Sequence, residues 1–418
     1  MKRKKEFIKE SCFNCSLISI EQRRIFKVLP NKRKIKMEKL KIKAGDISIS
    51  NPIALSAMAG MTDSRFAIKN AKNAGLVILG AYNLDAESKA AGLEVSARGR
   101  KEFNPEGDIF EAIEKEIEAV HENMPETTVA VSVRSAEIEP LLKAAKLLKE
   151  KNAIMELDAH CRQPEFTERG MGQSLLLKNA QTLPEMIQKI KQTGVVLSVK
   201  FRTSQVDPIA ATEFLDAAGA DIIHADAMIE GKGADHEAIL EIRNATRKVV
   251  IANNSVDDFE SALEFFMCGA DLVSIARATV EDAELIPLLA KQISEYQQET
   301  GWYNAPKHIC KRGDNRGLAF CCPPVKNCSL IKKIESVGFT RDEFIQLKQE
   351  SARGTPLELG PNTCFGSLVW CCKATKACYY RDDTLKHLGL SREDYMALKR
   401  ELSEKILNAI EEKKAASN

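Results

Sequence analysis

At 418 residues, 44% hydrophobic and 29% charged, the chain has the composition of an ordinary globular protein with room for one large domain and a smaller one. No apolar run is long enough to span a bilayer and no apolar signal core follows the basic N-terminus, which argues against membrane-spanning and exported classes and predicts a cytoplasmic location. The net charge of +2 hides an asymmetry: residues 2–43 carry 15 Lys or Arg against 4 Asp or Glu, leaving −9 on the remainder, a poor footprint for a general nucleic-acid binder.

Residues 1–43 therefore read as a basic extension without packed structure, either a solvated tail or an RNA-binding arm. Organised sequence begins just after Met37, an alternative start. Over 44–300, eight β-rich runs alternate with amphipathic stretches: 52–59, 76–83, 129–134, 153–160, 195–202, 221–227, 248–254 and 271–277. Apolar spacing predicts helices over 205–218 and 257–268, and Gly75, Gly219 and Gly269 stand where helix C-caps would fall. Eight strand–helix units predict an α/β fold, a closed (β/α)8 TIM barrel. A doubly wound sheet is the competitor, but the turn after the first run reads AMAGMTD, without G-x-G-x-x-G. The long polar insertion at 84–128 is expected to form a lid over the active face.

Past residue 300 the texture changes, and 301–418 is expected to be a smaller, mainly helical domain. Cys321-Cys322-x5-Cys328 precedes GFTRDEFIQLKQE (338–350), and Cys371-Cys372-x5-Cys378 precedes GLSREDYMALKREL (389–402). With Cys310 and Cys364 upstream, this is a tandem duplication holding four cysteines per half, each half closed by a helix with a Thr or Ser N-cap. Of twelve cysteines, Cys12 and Cys15 lie in the extension, Cys161 and Cys268 in the barrel, and the other eight here. In a reducing compartment such crowding points to metal: two iron–sulfur clusters, or two structural zinc ions. Adjacent cysteines are awkward ligands for one metal, so Cys321 and Cys322 are assigned to different centres.

A barrel carries its chemistry at the C-terminal strand ends. There the first run gives Ala57-Met58-Ala59-Gly60, small enough for a planar ring to lie against. The fourth gives Asp158-Ala159-His160-Cys161-Arg162, a thiol fit to act as proton donor or nucleophile. The later runs give Lys200 and Arg202, His224 and Asp226, Asn253-Asn254, and Ala276-Arg277. The last two loops are where barrels often cradle a phosphate.

These segments resemble the tRNA-dihydrouridine synthases. Residues 52–63 are similar to that family's P-x-x-x-A-P-M-A-G-V-T-D. Cys161, with Gly170-Met171-Gly172 and Ser174-Leu175-Leu176, resembles its catalytic cysteine loop, and Val199-Lys200-Phe201-Arg202 its V-K-x-R strand. The resemblance implies FMN at the barrel mouth against Ala57, Met58 and Ala59. Lys200 and His224 would flank the ring, with Asn253, Ala276 and Arg277 toward the phosphate. Hydride would pass to a uracil-type C=C bond while Cys161 protonates the neighbouring carbon. NAD(P)H or another reductant, a possible electron-donor protein, and tRNA or a small pyrimidine-like substrate complete the expectation. The chain departs from the family pattern by lacking the Asn and Pro around Cys161, the Arg after His224 and the glutamine replaced by Ser132; Gly has become Ala before Asn253 and Arg277. The C-terminal repeat resembles the methanogenesis marker nine domain of methane-forming archaea, in place of a helical tRNA-binding domain. Two alternatives stay open: a dihydroorotate dehydrogenase-like flavoenzyme on a free substrate, and a metal or iron–sulfur electron-transfer or assembly protein.

Overall fold

In the computed structural model, which describes residues 41–304, 309–373 and 375–417, the eight expected runs form one closed parallel barrel. The strands are β1 (Ile53–Leu55), β2 (Leu76–Asn83), β3 (Thr128–Arg134) and β4 (Ile154–Asp158), then β5 (Leu197–Arg202), β6 (Ile222–Asp226), β7 (Val249–Asn253) and β8 (Leu272–Ile275). β8 pairs with β1, and β6 with β7, so no edge is left and the doubly wound alternative is excluded.

Side chains alternate along each strand. Outward residues such as Leu55, Val77, Val131, Leu157, Val199 and Val250 pack under the helices. The inward set starts apolar, with Ala54, Leu76, Ile78, Ala130, Ile154, Ile222, Ile251 and Leu272. Farther along it turns polar: Glu156 and Asp158 on β4, Ser198 and Lys200 on β5, His224 and Asp226 on β6, all buried. One end of the barrel is thus a plain core and the other a store of buried charge, which persists only where partners compensate it.

The apolar end is plugged from outside. Ile42–Ala44 pairs antiparallel with Ile47–Ile49, and the hairpin's isoleucines join the inward core. Among the described residues strand structure is present from Ile42, inside the extension expected to run to residue 43. The rest of the extension, with Cys12, Cys15 and Met37, lies outside the described residues.

The helix Pro208–Ala218 ends at left-handed Gly219 (φ 106°), and Phe259–Met267 is followed by left-handed Gly269 (φ 106°). Gly75 differs. The helix before it ends at Ala71, and a Cβ on Gly75 would stand 1.9 Å from the Asn51 carbonyl oxygen, so close backbone approach explains this glycine. The 84–128 insertion is not a lid as a whole. Its helix Ile109–Asn123 packs into the outer core of the barrel, its helix Ala86–Ala97 sets Ala91 and Val95 against Cys161, Phe166 and Met171, and its linker brings Arg100 and Lys101 to the mouth.

After the helix Leu285–Thr300 and left-handed Gly301 (φ 71°), the C-terminal domain builds its own core from Phe320, Ile334, Phe344, Leu368, Tyr395 and Ile406. The repeat helices are Arg341–Ala352, with a Thr340–Glu343 capping box, and Arg392–Ser417, opened by Ser391. Arg316 bonds Asp271 (3.0 Å) and the Gly269 carbonyl (3.1 Å), and Arg247 bonds Glu411 (3.0 Å). These barrel residues precede β7 and β8, so the cysteine domain docks where the strands begin, away from the polar end.

Candidate active site

The polar end opens into a cavity of about 680 Å³, within the range of cofactor and substrate sites. Ala57, Met58, Ala59, Lys200, Asn253, Ala276 and Arg277 line it, as does Cys161. His224 does not. Its ring is fully buried beneath the cavity, because its strand position lies two residues below Asp226 at the rim. The structure thus brings seven of the eight residues expected around a cofactor to the lining of one cavity and puts the eighth in the floor.

That floor is a connected network. Glu156 Oε2 lies 2.6 Å from His224 Nδ1, and His224 Nε2 lies 2.9 Å from Ser274 Oγ. The Asn253 amide donates to the same hydroxyl at 2.9 Å, and Lys200 Nζ donates to Ser56 Oγ at 2.8 Å. Burial pushes the His224 pKa down. Burial also works to raise Glu156, but His224 and Lys200 outweigh it and hold the carboxyl below its ordinary range. The consistent state is ionised Glu156 accepting from the Nδ1–H of neutral His224, with Nε2 accepting from Ser274.

The Cys161 wall is organised by Asp158. Its Oδ1 accepts the backbone N–H groups of His160 and Cys161, each at 3.1 Å, and contacts His160 Nδ1 at 2.9 Å. Arg134, from the end of β3, donates to Glu102 at 2.7 Å and lies 3.5 Å from Asp158. The thiol is 3% exposed among Ala91, Val95, Phe166 and Met171. Burial and the Asp158 charge push its pKa above the ordinary thiol range, against the downward pull of Arg134. Gly172 (φ +59°) packs on this loop so tightly that a Cβ would stand 2.3 Å from the Cys161 carbonyl oxygen.

At the rim Arg202 pairs with Asp226 (3.0 Å), and His160 Nε2 lies 4.0 Å from Asp226. Arg202 Nε is buried with no acceptor, although the side chain borders the cavity. Asn254 and Ser255, also on the rim, hold left-handed φ values of 117° and 50°, strained for residues with a Cβ. A small-residue wall, buried cations and an unsatisfied guanidinium N–H fit a planar, anionic cofactor such as FMN.

Sequence reasoning missed Arg134, Glu102, Glu156, Arg100 and Lys101. The first and third carried a signal: both fall on the inward register of their strands, in step with Ser132 and Asp158. Glu102, Arg100 and Lys101 lie in an irregular linker whose path only the packed structure fixes.

Among the expected metal ligands Cys310, Cys328 and Cys364 are exposed, Cys321 is buried, and Cys322, Cys371, Cys372 and Cys378 are half-buried. Cys328 and Cys378 open the helices Ser329–Ser336 and Tyr379–Leu388. Among the described residues no group of three or more His, Cys, Asp or Glu side chains is placed to hold a metal ion, so the expected metal ligands are not brought together.

An uncharacterized protein of Methanocaldococcus jannaschii is 54% identical over 107 residues, 26% of this chain and 69% of its own length. A second uncharacterized protein of that organism is 32% identical over 253 residues, 58% of this chain and 95% of its own. Among solved structures, morphinone reductase aligns with a TM-score of 0.45 at 13% identity, covering 60% of this chain and 88% of that one. The sequence profile of the dihydrouridine synthases matches residues 101–312, half of the chain, including Cys161 and six of the eight strands. With the barrel and its mouth in place, the chain belongs to the dihydrouridine synthase family, and its fold and cavity are those of an FMN-dependent oxidoreductase.

Proposed function

We propose that the protein reduces the C=C bond of a uracil-type ring, in tRNA or in a related small pyrimidine, with Cys161 as proton donor. The observation that carries the reading is the Cys161 thiol: it borders the cavity on the wall nearest Asp158 and is held protonated by its surroundings. Bound FMN would supply the hydride, with NAD(P)H as the source of reducing equivalents. Hydride addition beside a carbonyl builds negative charge on the neighbouring carbon, and a thiol kept neutral is fit to give up its proton there. Lys200, fixed by Ser56, and Arg277 present cations to the ring edge and the phosphate; Ala57, Met58 and Ala59 form the surface against which the ring lies. His224 acts from below, locking Ser274 and through it Asn253.

A free pyrimidine is the second reading, favoured by the docking of the C-terminal domain at the far end of the barrel. Among the described residues no second domain faces the mouth. The same placement makes a direct electron supply from the cysteine domain unnecessary to the reading. The test is anaerobic reoxidation of the reduced holoenzyme by unmodified tRNA, uridine or uracil, with product identified by mass spectrometry. Dihydrouridine in RNA supports the tRNA substrate, and turnover of the free compounds alone supports the second reading. Turnover of none overturns both.

A further inference from the structure

A second cavity, of about 620 Å³, lies at the end of the barrel where the strands begin, and its size suits a small-molecule ligand. It occupies the seam between the two domains. Ile42 and Lys43 of the plugging hairpin, the 243–249 stretch leading into β7, and Asp271 ahead of β8 form the barrel side. Asn304, Asn315, Arg316 and the helix Arg392–Ser417 form the other. None of these residues borders the cavity at the mouth.

Charge in this lining is unbalanced. Seven Lys or Arg face five Asp or Glu, although the chain beyond residue 43 sums to −9. The five carboxylates are already engaged. Arg243 (2.8 Å) and Arg316 (3.0 Å) hold Asp271, and Arg316 also holds Asp314 (2.8 Å). Lys248 stands 3.8 Å from Asp216, and Arg247 holds Glu404 and Glu411. The other cations of the lining are Lys43, Arg400 and Lys414. A guanidinium stays charged at any physiological pH, so the surplus persists, and it suits a phosphate.

The second observation is a pair of amides. Asn304 is 6% exposed, and its backbone carbonyl accepts from Arg316 Nη1 at 3.1 Å. Its side-chain Oδ1 and Nδ2 are both buried without a hydrogen-bond partner, and so is Asn315 Oδ1. Burying such groups unpaired is costly. Together they lack two donors and one acceptor.

We propose that this seam binds a mononucleotide whose base carries an amino group. The phosphate lies among Lys43, Arg400 and Lys414, and the base meets Asn304 and Asn315. The N6–N7 edge of adenine gives an asparagine amide a donor and an acceptor together, and the second amine hydrogen is left for Asn315. A uracil joined to ribose carries a single ring N–H, so the base proposed for the mouth would leave one of the two oxygens unpaired. Both domains contribute contacts, and the ligand thereby fastens one to the other.

The assignment does not rest on the flavin reading. Full-length protein saturated with FMN is titrated calorimetrically with AMP, adenosine, inorganic phosphate and IMP, which lacks the amine. About one AMP per chain is expected, with the other three weaker by about tenfold or more, the worth of a lost charge-assisted hydrogen bond. Asn304→Asp keeps a side chain suited to the left-handed φ of 54° but replaces the Nδ2 donor with a carboxylate oxygen. That variant, and Lys43→Gln/Lys414→Gln at exposed positions, should each weaken AMP about tenfold with FMN content unchanged. Arg100→Gln/Lys101→Gln, at the mouth, should keep the AMP affinity. No AMP binding, phosphate or IMP binding as tightly as AMP, or an AMP affinity lost in the mouth variant and kept in the seam variants overturns the proposal.

Discussion

Arg134 Nη1 stands 3.9 Å from the Cys161 sulfur, and its Nη2 is held by Glu102 at 2.7 Å. One guanidinium therefore ties the insertion linker, the end of β3 and the cysteine loop together. Its positive charge alone would favour thiolate, yet burial and Asp158 prevail and the thiol stays neutral.

The first prediction is a pH profile. An acid must be protonated to act, so activity is lost as pH rises through its pKa. With the Cys161 pKa raised, the single-turnover rate should stay flat from pH 6 to about 8.5, the ordinary thiol value, and fall only above it. Cys161→Ala should lower that rate by about 10²–10⁴-fold with FMN content unchanged. Stopped-flow reoxidation under argon measures both; a profile already falling by pH 7 would remove Cys161 as the acid.

Arg134→Met should destabilise the fold by about 3–5 kcal/mol, because Glu102 and Asp158 lose a buried partner. Arg134→Lys keeps the charge but not the fork, and should fall between wild type and Met. Urea unfolding followed by circular dichroism gives the order. Equal stability of all three would mean that the cluster is not held by this cation.

Acid sensitivity follows from the floor network. The folded pKa of His224 lies below its unfolded value, so its contribution is complete above about pH 6.5 and is lost progressively as pH falls from there through the folded pKa. Glu156 and Asp158 are also depressed, and their contribution is present above about pH 4 and lost below it. Stability should therefore decline in two stages on acidification. In His224→Gln the upper stage should vanish; if it persists unchanged, another group is responsible.

The barrel was legible because strand periodicity and strand-end polarity coincide: eight runs became eight strands, and seven of the eight residues expected around a cofactor line one cavity. His224 was misplaced by depth rather than direction. Inward pointing is a period-2 property visible in the sequence, but height within the barrel depends on register, and Lys200 pairs level with His224 while Asp226 stands above. Lys200 reaches the cavity from that level because its stem is long; an imidazole is not. The cysteine repeat was legible as a duplication, whereas the packing across its halves, Lys348 over Trp370 and Lys399 over Phe320, is tertiary and leaves no spacing to read.

Gly172 offers the sharpest separation of positioning from stability. Its φ of +59° disfavours any Cβ, and the nearest obstacle, at 2.3 Å, is the backbone carbonyl of Cys161, which also accepts from Gln173 N at 2.9 Å. A backbone atom yields only if the loop moves, so Gly172→Ala must displace the cysteine. Strain of about 1–3 kcal/mol is expected, modest against a barrel whose core lies elsewhere. The rate should suffer more: a shift on the order of 1 Å in a reacting group lowers it about 100-fold. Thermal unfolding and single-turnover rates on the same preparation test this. A variant that loses stability but keeps its rate would show that the cysteine's position is not set by this contact.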